Sequence, residues 1–125
     1  KIVADAVALL KNSHPEAKIE TLDVSDAMEG HRLCETSVDL MENIPYESWN
    51  SKGAVNNLEW VNPLRTLSAI GPPLLREGAH PNYFCQMAER NCVRQAYRKG
   101  KGGKCVANGK GLNSNGEPKM KLVSN

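Results

Sequence analysis

The sequence predicts an α/β fold with a mostly parallel sheet, on two observations from its first 24 residues. Residues 2, 3, 6, 7, 9 and 10 are apolar, which gives the broad stripe of a helix that faces a core. After the turn at Ser13-His14-Pro15, residues 17–24 form a short run that is compatible with a β-strand. A helix, a short loop and a strand make half of a βαβ unit, and units of this kind build layered folds around a parallel sheet.

A second helix is predicted over residues 83–98. Asn82 is a good N-cap residue, and positions 84, 88, 92 and 96 place Phe, Ala, Cys and Ala on one helical face. The glycines from Gly100 onward break regular structure, and residues 99–125 lack apolar periodicity. We therefore expect the last segment to be a coil.

Composition and charge indicate a globular chain of one domain with a basic end. The 125 residues are 40% hydrophobic, and no apolar run approaches the roughly 20 residues needed to span a bilayer, so we expect no integral membrane association. Residues 1–97 hold nine Lys/Arg against thirteen Asp/Glu, whereas residues 98–125 hold seven against one. This basic tail has no aromatic residue to stack on a base, so we expect it to be solvated, with no nucleic-acid partner. The chain begins inside a predicted helix without Met or a signal peptide and is expected to be a piece of a longer protein.

The four cysteines favour a secreted protein with disulfides. Their spacings of 51, 7 and 13 residues do not resemble the paired ligands of a structural zinc site, and we expect no metal or cofactor. A bond between Cys92 and Cys105 would fix the glycine-rich segment to the preceding helix. By elimination, Cys34 would pair with Cys85. Reduced, buried cysteines are the alternative.

His80 is the first candidate for a catalytic side chain. Residues 78–82 read GAHPN, and Pro81 both fixes its own φ and favours extended geometry at His80. The histidine is thereby held on a short loop where the second helix begins, which is how a catalytic base is often presented. The alternative is a histidine in a surface turn.

Two further features allow a functional and a structural interpretation. His31 follows the predicted strand, and loops at the carboxyl ends of parallel strands bind ligands in α/β folds. The structural alternative is a loop histidine that is hydrogen-bonded to backbone. Trp49 and Trp60, in loop-rich sequence, could line an apolar pocket or cap a core.

Several segments, in order, resemble the C-terminal part of a secreted SGNH (GDSL-type) esterase or lipase of the actinobacterial type. They are AKIETLDVSDAMEGHRLCE, EWVN, EGAHPNYFCQMAERNCVRQAY, GGKC, GLN and GEPKM. The resemblance implies a three-layer α/β/α sandwich with a parallel sheet, of the flavodoxin-like type. It also implies that residues 1–98 are the C-terminal portion of the hydrolase domain and residues 99–125 a basic tail stapled by a disulfide.

The same resemblance assigns roles to three residues. His80 matches the family's general base, which takes the proton of a nucleophilic serine and later gives it to the leaving alcohol. Glu77 stands where the family usually places an Asp that orients this histidine, and the carbonyl of Gly78 is the alternative orienting group. Cys85 stands where the family motif has glycine, which is a departure from the pattern.

The chain carries no GDS motif and none of the family's oxyanion-hole blocks. We therefore expect the nucleophilic Ser to lie in a missing N-terminal half, the substrate to be an ester or lipid, and this chain alone to be inactive. The alternative is a non-catalytic hydrolase remnant, or a module that binds a carbohydrate or an anionic surface through Trp49, Trp60 and the basic tail.

Overall fold

A computed structural model of the chain describes residues 2–32, 35, 50–61 and 80–124. The helices and strands, in chain order, are α1 (Ile2–Ser13), β1 (Leu22–Asp23), α2 (Ala54–Asn57), α3 (Tyr83–Lys99), β2 (Gly103–Leu112) and β3 (Pro118–Val123).

The described part of the chain is a mixed α/β structure with a three-stranded sheet in the order β1-β2-β3. β1 pairs with β2 in parallel, with Leu22 opposite Gly103. β2 and β3 pair in antiparallel orientation, with Cys105 opposite Leu122. The α/β class is thus confirmed, but the sheet is not purely parallel as predicted, because the five residues between β2 and β3 are enough for a hairpin and too few for a parallel crossover.

The prediction of coil for residues 99–125 is wrong, because β2 and β3 occupy most of that segment. In β3, Pro118, Met120 and Leu122 are buried while Lys119 and Lys121 are exposed, which is the alternation of a half-buried strand. The register shifts between Ala107 and Leu112, and this irregularity contains two glycines with φ near 85°. The glycines therefore bend β2 and do not end it.

α3 carries the core on one face and confirms the second predicted helix to within one residue. Asn82 is its N-cap, with a side-chain oxygen that accepts from the backbone N–H of Phe84 at 3.0 Å and of Cys85 at 3.4 Å. Its buried face contacts β3, and Cys92 forms the predicted disulfide with Cys105, which joins α3 to β2 with a Cα–Cα distance of 5.9 Å. The predicted disulfide between Cys34 and Cys85 is wrong, since Cys85 is a free thiol. Cys34 itself lies outside the described residues.

α1 forms where the sequence predicts it but does not face a core within the part of the chain that the structure describes. None of the residues Ile2–Ser13 is buried, and the side chains of Ile2, Val3 and Leu9 are 70% exposed or more. The apolar stripe is therefore an open surface. Among the described residues, no helix combines the length and the apolar character that crossing a bilayer requires.

β1 is held against β2 by an unusually close backbone approach. The backbone N–H of Gly103 donates to the carbonyl of Thr21 at 2.9 Å. A Cβ on Gly102 would stand 1.9 Å from that same carbonyl oxygen, so only glycine fits at position 102. This contact fixes the loop 24–32, which follows β1, alongside β2.

Candidate functional site

His80 lies on a loop that is fixed on its C-terminal side. Directly after it, Pro81 forms an isolated antiparallel bridge with Val61. The backbone N–H of Asn82 donates to the carbonyl of Trp60 at 3.0 Å, and the Asn82 amide donates to the carbonyl of Glu59 at 2.6 Å. One residue, Asn82, thus begins α3 and ties the His80 loop to residues 59–61.

The His80 side chain itself is exposed at the end of this fixed loop. Glu77 and Gly78, the two predicted orienting groups, lie outside the described residues, so which of them orients the imidazole stays a prediction. Among the described residues, no serine hydroxyl is hydrogen-bonded to His80. The hydroxyl of Ser13 donates to α1 carbonyls and that of Ser25 lies 3.5 Å from Asp26.

His31 is bonded to backbone, as its structural interpretation predicts, and it also stacks on Trp60. The two rings are 4.3 Å apart between centroids and only 4° from parallel. His31 Nδ1 lies 2.9 Å from the carbonyl oxygen of Leu58, and since a carbonyl can only accept, Nδ1 carries a proton. Nε2 is therefore the nitrogen left for another partner.

Trp60 is buried and belongs to the core cluster, so its capping interpretation holds within the described structure. Its indole N–H donates to the carbonyl of Val55 at 3.0 Å. Since one face of the ring is covered by His31, Trp60 offers no open platform for stacking a sugar. Trp49 lies outside the described residues.

The short segment 59–61 connects the loop of His31 to the loop of His80. The sequence analysis did not predict this connection. The backbone N–H of Trp60 donates to the carbonyl of His31 at 2.8 Å, and its carbonyl accepts from the backbone N–H of Asn82. The loops of His31 and His80 are therefore both hydrogen-bonded to the backbone of Trp60, one to its N–H and the other to its carbonyl. Only the segment EWVN, noted for its likeness to a family motif, hinted at this position.

Cys85 is a buried thiol next to the His80 loop, and its surroundings make it unreactive. Its Sγ lies 3.0 Å from Met28 Sδ and 3.8 Å from a Glu89 carboxylate oxygen. Burial, with a contribution from the negative charge of Glu89, raises the pKa of Cys85 to about 12. The thiolate, which is the nucleophilic form, is thus suppressed.

We expect Cys85 at pH 8 to be alkylated about 10³ times more slowly in the native protein than in the unfolded chain. The reason is that raising the thiol pKa from 9.0 to about 12 lowers the fraction of thiolate about 10³-fold. Peptide mass spectrometry after iodoacetamide treatment, with and without urea, measures the rate at this residue. Labelling of the native protein at the unfolded rate would contradict the described burial.

Comparisons with known proteins do not assign this chain to a family. No protein-family model, no curated protein and no solved structure matches this chain. Among the described residues, no group of three or more His, Cys, Asp or Glu side chains is placed to hold a metal ion.

Proposed function

We propose that this chain is the C-terminal part of a serine ester hydrolase of the SGNH type and that His80 is its general base. The observation that carries this proposal is an exposed imidazole on a loop bonded to both α3 and residues 59–61. A base that must meet a nucleophile from elsewhere has to be accessible, and it must also be held in position.

In the proposed reaction, His80 accepts the proton of the nucleophilic Ser as its oxygen bonds to the ester carbonyl carbon. The same proton then goes to the alcohol oxygen as the carbon–oxygen bond of the ester breaks. Water deprotonated by His80 releases the acyl group and restores the serine. The substrate class is an ester or a lipid, and the chain supplies the base without the nucleophile.

Two structural features support the larger three-layer fold that this proposal needs. The apolar stripe of α1 is exposed, and the rest of a hydrolase domain would cover it. Among the described strands, β1 lies at the edge of the sheet and is parallel to its neighbour, so further parallel strands can be added beside it. The Cys92–Cys105 disulfide supports a secreted protein, because such bonds persist in oxidising compartments.

The alternative, a non-catalytic remnant or a surface-binding module, has less support. Trp60, which would have to stack on a carbohydrate, is 3% exposed. Lys110, Lys119 and Lys121 are exposed and could contact an anionic surface, whereas Lys104 is paired with Asp26; none of them accounts for the bonds that fix the His80 loop.

The test is to express the protein of the parent gene and assay it on p-nitrophenyl esters. We expect hydrolysis and covalent labelling of one serine by a fluorophosphonate probe, at a position outside these 125 residues. If the parent protein neither hydrolyses the ester nor reacts with the probe, the hydrolase proposal is excluded and the non-catalytic remnant is favoured.

A further inference from the structure

A small cavity lies between α2 and Trp60 on one side and the β2–β3 hairpin on the other, and the proposed ester hydrolysis makes no use of it. Its volume is about 50 Å³. Ten residues line it, and those that the argument uses are His31, Asn56, Trp60, Lys110, Gly111 and Lys119.

The cavity exists because β2 leaves its regular register beside α2. The pairing with β3 is interrupted between Ala107 and Leu112, and the backbone N–H of Gly111 donates to Asn56 Oδ1 at 2.7 Å instead of to the strand ladder. Since Oδ1 is the acceptor in this bond, the Asn56 amide nitrogen is left to donate elsewhere. The irregular strand thus forms a wall, and one side chain of α2 holds it in place.

The polar groups of this wall suit a negatively charged ligand. Lys110 and Lys119, whose side chains are exposed, are among the residues that line the cavity. Within the described part of the chain, neither lysine forms an ion pair and no Asp or Glu lines the cavity. Across from them, His31 donates through Nδ1 to the Leu58 carbonyl, so Nε2 of the neutral ring is an acceptor for a protonated oxygen of such a ligand. Stacking on Trp60 holds the imidazole at a fixed orientation.

We propose that this cavity binds a small tetrahedral oxyanion of the phosphate class, with Lys110, Lys119 and the Asn56 amide as its donors. One water needs roughly 10–15 Å³ of such a cavity, so about 50 Å³ holds three to five waters. Inorganic phosphate has five non-hydrogen atoms and fits this volume, whereas a sugar or a nucleoside does not. Lysine binds phosphate as a compact charge with up to three donors.

The test titrates the 125-residue chain with inorganic phosphate, against sodium chloride at equal ionic strength so that general screening cancels. Trp60 reports binding through its fluorescence in a Trp49→Phe background, and the amide NMR signals of Gly109 and Gly111 report it independently. We expect a saturable response with phosphate and none with chloride.

Three variants decide whether the cavity is the site. Lys119→Gln should raise the Kd for phosphate about tenfold, the effect of losing one hydrogen bond to a charged group. Asn56→Asp keeps the acceptor for Gly111 but places a negative charge in the wall, and should abolish binding. Lys121→Gln removes the same charge from the same strand outside the cavity, and should change the Kd less than twofold.

No saturable change in either signal would overturn the proposal, as would equal weakening by Lys119→Gln and Lys121→Gln. Because this site does not depend on His80 or on a serine, its failure would leave the proposed ester hydrolysis unaffected. Conversely, an inactive parent protein that still binds phosphate would retain the site and exclude only the hydrolase.

Discussion

His80→Ala in the intact form of the proposed hydrolase is expected to lower kcat on p-nitrophenyl esters by at least about 10³-fold, with little change in KM. Without the imidazole, nothing takes the serine proton as the oxygen attacks, and nothing returns it to the leaving alcohol. The ester still binds, because the substituted group acts on the transition state and not on the bound substrate. Steady-state kinetics of the purified parent protein measure both constants.

Two controls make the His80 result interpretable. His14→Ala removes an exposed histidine from the turn after α1, where its ring lies 3.5 Å from Glu16, and should leave kcat unchanged. The thermal unfolding of His80→Ala should match the wild type, because an exposed side chain away from packing contributes within about 0.5 kcal/mol of stability. Unchanged turnover in a folded His80→Ala protein would show that His80 is not the general base that we propose.

The sequence predicts those parts of the fold that depend on neighbouring residues. The N-cap at Asn82 and the four-residue repeat locate α3, because capping and periodicity are local properties. The disulfide between Cys92 and Cys105 is predictable for the same reason, since its two cysteines are only 13 residues apart. Pairing across long loops has no comparable signal.

The hairpin of β2 and β3 shows why a strand can be missed. Met120 and Leu122 alternate with Lys119 and Lys121, but only six residues carry that pattern. In β2, glycines and exposed positions replace the apolar residues that would mark a strand. Pairing with β3 and the bond to Cys92 stabilise β2, and neither contact produces an apolar pattern within the sequence of β2 itself.

The same limit applies to the site. His31 was predictable as a loop histidine bonded to backbone, but its partner Leu58 is 27 residues away and its stacking on Trp60 depends on the segment between them. The cavity beside it needs α2, the irregular part of β2 and β3 together. None of these contacts leaves a periodic trace in the sequence.

Glu117 is a buried carboxylate whose role the sequence does not indicate, since it lies in the turn-like run GEP. Its side chain is fully buried, and Arg90 Nε donates to Oε1 at 2.7 Å. Arg94 donates to both carboxylate oxygens, and Asn113 adds a bond at 3.2 Å. The two arginines are one helical turn apart on α3, so this cluster fastens α3 to the start of β3.

We expect Glu117→Gln to lower the free energy of unfolding at pH 7 by about 2–3 kcal/mol, because it leaves two arginines facing a neutral amide. Arg94 is 26% exposed and Arg90 54% exposed, so water partly solvates both, which keeps the loss at the lower end for a broken buried pair. Urea unfolding of the 125-residue chain measures the difference. Glu16→Gln, at an exposed glutamate, is the matched control and should change it by less than about 0.5 kcal/mol.

The pH dependence separates the charge of Glu117 from its packing. Hydrogen bonds from Arg94, with those from Asn113 and Arg90, outweigh burial and lower the pKa of Glu117 from 4.5 to about 2. A lowered folded-state pKa gives stability that is complete above pH 4.5 and is lost as the pH falls toward 2. The wild type should therefore lose its advantage over Glu117→Gln across that window. A difference that stays constant from pH 7 to pH 2 would mean that the glutamine disturbs packing and that the ion pairs contribute nothing.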